Sequence, residues 1–195
     1  MANDSELSAL WRQRWPDCDP ISYTLKSAYP DRWVRFHSLP ESKRYPETEA
    51  EYDLVLGRYN VVLDELFGGQ EVRIVTNFWS DDPEPPAEPA PIERRFPGAR
   101  HWMSVCDDED ETDPDFISYA HVYAGRTSWR SGLIDDTLRA VADDAAAGVM
   151  ITSLSFDRIH APYDGGADVL LPTTAERDAL KQRYSEWLSR HPQGL

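Results

Sequence analysis

The chain has 195 residues, of which 41% are apolar, with seven Trp, nine Tyr and six Phe; a chain this long buries roughly 70% of its extended surface, which excludes a disordered polypeptide or a disulfide-dependent miniprotein. Thirty-five acidic against twenty basic residues leave a formal charge of −15, a field that repels phosphate backbones and attracts basic surfaces. No nucleic acid is therefore expected to bind, and a basic protein partner is.

The chain opens on MANDSELSALW, which lacks the basic and apolar regions of an export signal, and no run approaches the length of a membrane span; neither export nor membrane contact is expected. Cys18 and Cys106 match no metal-ligand spacing and fit a reducing cytoplasm. In SELSALWRQRW, Leu7, Leu10, Trp11 and Trp15 share one helical face, and Pro16 ends the helix. WVRFHSL then reads as a short strand. Thr48 and Glu51 form a capping box for a long helix that carries Tyr52, Val55, Leu56, Tyr59, Val62, Leu63 and Leu66 on one side. Gly68 and Gly69 stop it. EVRIVTNFW alternates as a strand with one well-buried face.

From 80 to 97 the chain holds six prolines, Pro83 to Pro97, and is expected to form an extended surface loop. HWMSVC resumes, and in residues 107 to 115 seven of nine side chains are acidic, which reads as a solvated, mobile loop rather than a calcium site. FISYAHVYA is a strand, SGLIDDTLRAVADDAAA a helix ending at Gly148, and VMITSLSF, RIHAPY and ADVLL are three more strands, the last two joined by the YDGGAD turn. A capping box at Thr173 and Glu176 opens a closing helix with Leu180, Tyr184, Trp187 and Leu188 on one face. This order predicts a single α+β domain over residues 1–195. Its sheet would be mixed but largely antiparallel and would pack against about four helices.

Two segments attract functional readings. RFHSLPESKRYPETEAEY, residues 35 to 52, brings His37, Glu41, Lys43, Arg44 and Tyr45 into one strand-to-helix loop. His37 and Glu41 are candidate acid and base groups there, although prolines and capping residues account for much of the segment. Lys43 and Arg44, beside Tyr45, either pair internally or contact an anionic ligand. In PYDGGAD, Tyr163, Asp164 and Asp168 flank two glycines that suit the positive φ of a tight hairpin, while Asp164 is the candidate catalytic partner if the two segments meet. A metal held by Asp164 and Asp168, or by His37, His121 and His160, is a weaker reading, so neither metal nor cofactor is expected.

HSLPESKRYPETEAEY leading into a helix with R-x-N near its middle, the PYDGGADV turn, and the terminal RYSEWLSRHPQGL together resemble an uncharacterised bacterial family, domain of unknown function 3885, across roughly residues 30 to 80 and 115 to 195. The resemblance implies a bacterial cytosolic origin and brings no established activity. VRFHSL stands where that family often reads IRFELG, so it assigns His37 and Ser38 no shared catalytic role. Two classes of function remain. One is a non-catalytic acidic binding protein, immunity or antitoxin-like, that contacts a basic partner through Asp107, Asp108, Asp110 and Glu111. The other is a small enzyme whose site joins the HSLPESKRY loop to the YDGGAD turn. Substrate, partner and oligomeric state are not legible in the sequence.

Overall fold

The computed structural model describes residues 4–86, 96, 98–106 and 117–189. One seven-stranded sheet organises them. Its strands are β1 (Trp33–His37), β2 (Glu71–Ser80), β3 (Arg100–Cys106), β4 (Tyr119–Ser128), β5 (Val149–Ser153), β6 (Ile159–Tyr163) and β7 (Gly166–Leu170), in the spatial order β1-β7-β6-β5-β2-β4-β3. Every neighbouring pair is antiparallel, so the expected α+β class holds and the sheet is purely rather than largely antiparallel.

Helices cover both faces. On one lie α3 (Glu49–Phe67), α4 (Asp135–Ala142) and α5 (Thr174–Arg183), which close a core of Val55, Tyr59, Val62, Leu63, Leu66, Leu138, Val141 and Leu180 over Val34, Phe36, Ile74, Ile151 and Val169. On the other lie α1 (Asp4–Arg14) and the short α2 (Leu25–Ala28), which bring Leu7, Trp11 and Leu25, with Trp15 just beyond α1, onto Val75, Val122, Met150 and Leu170. Successive side chains of a strand point to opposite faces, so adjacent residues such as Ile74 and Val75 serve different cores. For this reason β2 is buried on both faces at its centre, where the alternation alone predicts one. The second cover is aromatic: the Trp15 indole donates to the Phe156 carbonyl at 2.6 Å, and the Arg32 guanidinium lies 3.9 Å from the Trp15 ring.

The capping boxes are present as read. Thr48 Oγ1 accepts from the Glu51 amide and Thr173 Oγ1 from the Glu176 amide. Elsewhere the boundaries shift. α4 ends at Ala142, well before Gly148, because Asp144 takes a left-handed φ of 56° that breaks the helix. Gly148 instead serves packing, since a Cβ there would sit 2.6 Å from the Trp79 ring. In the β6–β7 turn, where Tyr163 pairs with Gly166, neither Asp164 nor a glycine has positive φ. Gly166 is needed for close approach instead, because a Cβ on it would collide with the Phe36 carbonyl of β1. Asp81 to Glu84, which follow β2, and Pro86 are exposed, and Phe96 packs against the core beneath α3; residues 87–95 and 97 of the proline-rich stretch, and all of the acidic stretch, 107–115, lie outside the described residues.

Candidate ligand site at the strand-to-helix loop

β1 delivers the chain to the edge of the sheet at His37, and the loop that follows has unusual backbone geometry. Glu41 and Ser42 both hold left-handed conformations, φ 56° and 58°, which cost L-residues about 1–3 kcal/mol each. Beyond them the charged side chains are paired. Lys43 Nζ reaches Glu47 at 3.1 Å and Glu51 at 2.7 Å, and the Glu51 carboxylate also accepts the Glu47 amide at 2.7 Å. One carboxylate thus serves both the cap and the lysine.

Arg44 joins the loop to the YDGGAD turn. Its Nε and Nη2 donate to Asp164 at 2.5 and 3.1 Å; the carboxylate is buried, 7% exposed, while the guanidinium is 63% exposed. The Tyr45 hydroxyl also binds Asp164, which raises the phenol pKa. The Ser38 amide donates to the Gly165 carbonyl at 3.1 Å, and the Tyr59 hydroxyl of α3 lies 2.8 and 2.9 Å from the carbonyls of Tyr163 and Gly166. Asp168, on β7, accepts Arg35 of β1 in a fork of 2.7 and 2.8 Å, and the Arg35 guanidinium lies over the Tyr163 ring. Burial raises the Tyr163 phenol to about 12. The two segments therefore meet, as ion pairs and backbone hydrogen bonds. Asp164 and Asp168 each hold a guanidinium.

Open space lies on the other side of the loop. A cavity of about 540 Å³ is bounded by His37, Leu39, Pro40, Glu41 and Ser42, by Arg58 of α3, and by Glu186 to Ser189 after α5. A cavity of about 10 Å³ lies between Phe36, Ser38, Tyr59 and His160, and shares His37, Arg58 and Trp187 with the larger one. Arg58 donates through Nη1 to the His37 carbonyl at 2.8 Å and lies 5.1 Å from the Trp187 ring centre. Its Nε is buried without a hydrogen-bond partner, as are His37 Nε2, Ser38 Oγ and both ring nitrogens of His160. Each unmet buried donor or acceptor costs about 1–3 kcal/mol. Burial lowers the pKa of Arg58 and of His37, and the neighbouring Arg35 and Arg58 charges lower His37 further. Burial also holds His160 near a pKa of about 3.

Of the three strand histidines, His37 and His160 thus line the same small cavity, whereas His121 lies on β4, several strands away. His121 belongs to a polar chain that the one-dimensional reading missed. His101 Nε2 lies 2.9 Å from Ser104 Oγ, which lies 2.8 Å from His121 Nδ1; His121 Nε2 lies 3.0 Å from the Asp82 carbonyl. Ser80 Oγ also lies 3.0 Å from His121 Nε2. The β3–β4 register, which sets Ser104 opposite His121, creates this chain. The cavity of about 420 Å³ nearby is lined by His101 and Trp102 rather than by Ser104.

Among the described residues no three His, Cys, Asp or Glu side chains stand so as to hold a metal ion. Asp107, Asp108, Asp110 and Glu111 lie outside the described residues. Sequence signals for the cavity were partial. His37 and Glu41 stand out as candidate acid and base groups and Trp187 and Leu188 as part of one face of the closing helix, while Arg58 stands only within the R-x-N helix.

Residues 21–192 match the model of the family described as domain of unknown function (DUF3885). The chain belongs to that family. No curated protein and no solved structure matches it. The segments that resemble the DUF3885 family find their places in the fold around the β1 edge. Arg58 of the R-x-N pair braces His37, and Asn60 donates to Asp135 at 2.7 Å and accepts the Gly132 amide at 3.0 Å. The terminal segment packs Tyr184 and Trp187 edge-on against Phe36.

Proposed function

We propose that this member of the DUF3885 family is a non-catalytic acidic binding protein of the bacterial cytoplasm, immunity or antitoxin-like, that engages a basic protein partner. The observation that carries the reading is the fate of the charged groups in the two motif segments. Asp164 and Asp168 are bound to Arg44 and Arg35, and Lys43 to Glu47 and Glu51, so these groups serve the architecture. Meanwhile Asp17, Asp19, Asp31, Asp53, Asp81, Asp82 and Glu84 remain exposed on a chain of net charge −15. Such a surface steers a basic protein into encounter and disfavours nucleic acid. Two free cysteines fit a reducing compartment. No described helix is long and apolar enough to cross a membrane.

A small enzyme is the second reading, favoured by the cavity that His37 and Glu41 share. It lacks Asp164 as a partner, since that carboxylate lines neither this cavity nor the smaller one beside it. The test begins with capture of partners from host extract at about 50 and 200 mM salt, where the Debye length shortens. Kinetics with the partner so found then follow. The association rate should fall steeply with salt, and neutralising Asp107, Asp108, Asp110 and Glu111 together should slow association more than it speeds dissociation. A salt-independent association rate unchanged by the four neutralisations overturns the proposal. A salt-tolerant activity lost in Glu41→Gln with the fold intact would instead establish the enzyme.

A further inference from the structure

We propose that the cavity between the Leu39–Ser42 loop and the Glu186–Ser189 segment binds a small amino-carboxylate, with its carboxylate on Arg58 and His37 and its ammonium on Glu41 and Glu186. The inference is independent of the protein-partner reading. A volume of about 540 Å³ lies within the range of small-molecule sites, and Leu39, Pro40, Trp187 and Leu188 supply the apolar wall such sites need.

The charges select the ligand. Arg35, Arg44, Arg126, Arg139, Arg158, Arg177 and Arg183 each contact a carboxylate directly. Arg58, like the part-buried Arg32 and Arg73, has no ion pair among the described residues, but whereas their Nε atoms donate to the Leu171 and Leu154 carbonyls, the buried Nε of Arg58 has no hydrogen-bond partner. Trp187 and the His37 carbonyl hold the guanidinium in place, so it is presented in a fixed orientation suited to a planar carboxylate. His37, whose Nε2 is also buried and unpartnered, lines the same cavity and offers a second polar group. A simple anion would nevertheless face two exposed glutamates on the lining, one of which, Glu186, is near enough to act on the Arg58 charge. A simple cation would face Arg58. A molecule with both charges satisfies both ends. The left-handed pair Glu41 and Ser42 fits this role, since backbone strain of this kind recurs at ligand clamps.

The test titrates the full chain with glycine, 4-aminobutanoate and 5-aminopentanoate, and with pentanoate and pentylamine as the separate halves. It follows the Arg58 Nε–Hε, Trp187 indole and backbone amide resonances by NMR. At least one amino-carboxylate should produce saturable shifts confined to the cavity and bind about fivefold or more tighter than either half. Arg58→Gln should weaken that binding at least tenfold. Glu41→Gln combined with Glu186→Gln, both at exposed positions, should abolish the preference over pentanoate while the fold persists, which keeps the test decisive if Arg58→Gln fails to fold. No saturable shift at the cavity with any amino-carboxylate, unchanged binding in a folded Arg58→Gln, or pentanoate binding as tightly as the best amino-carboxylate would overturn the proposal.

Discussion

His160 couples stability to pH more strongly than its surroundings suggest at first sight. It is fully buried under Tyr59, 5.8 Å from that ring, with neither ring nitrogen hydrogen-bonded, and burial lowers its pKa from an ordinary 6.5 to about 3. A depressed histidine pKa means that between about pH 6.5 and 3 the unfolded chain binds a proton that the folded chain refuses. Stability is therefore intact above pH 6.5 and lost progressively as pH falls through that window, by up to about 1.4 kcal/mol per pH unit. His37 and His101, also lowered by burial, act in the same direction. Urea unfolding at pH 7.0 and 5.0 should differ by about 2 kcal/mol, and His160→Leu should reduce the difference. An equal pH dependence in the variant would show that His160 is not the source.

At the scale of elements, the long helix and the β1–β7 junction are the places where single changes matter most. Val62 is 2% exposed in the core beneath α3, so Val62→Asp strands a charge there and should cost about 3 kcal/mol or more, seen as a large fall in melting temperature. Gly166→Ala should be severe as well, because its methyl group meets the Phe36 backbone and must push β1 off β7. Gly165→Ala meets only the Tyr163 ring edge at 3.0 Å and the Arg44 side chain, and should be tolerated better. The stripe on α3 and both capping boxes were legible because helix periodicity and caps are local. The glycines of YDGGAD were legible as a turn but not in their reason, since the approach of Phe36 comes from a strand far away in sequence. Of the cavity's polar groups only His37 and Glu41 were legible as a candidate site, and Trp187 and Leu188 were legible as an apolar helix face rather than as its wall. Arg58 sits in a helix whose pattern marks its apolar side, and nothing local says that its Nε is left without a hydrogen-bond partner.

For the whole molecule, net charge and topology have separate consequences. Surface pairs such as Arg126–Glu71 and Arg139–Glu49 contribute little each, whereas the excess of fifteen negative charges repels itself throughout the fold. Screening should therefore stabilise the chain, and melting temperature should rise by several degrees between about 20 and 500 mM NaCl; a fall would show that ion pairs outweigh self-repulsion. Topology acts on time rather than energy. Among the described residues β1 pairs with β7 alone, across 133 residues, as the Arg35–Asp168 fork shows, and the cavity beside it is walled by Glu186 to Ser189. Contacts so far apart in the chain are closed late and slowly. A polypeptide still emerging from the ribosome can assemble α3 against β2 and β5 while its first strand waits unpaired, an open edge that β7, made in the last third of the chain, comes to cover.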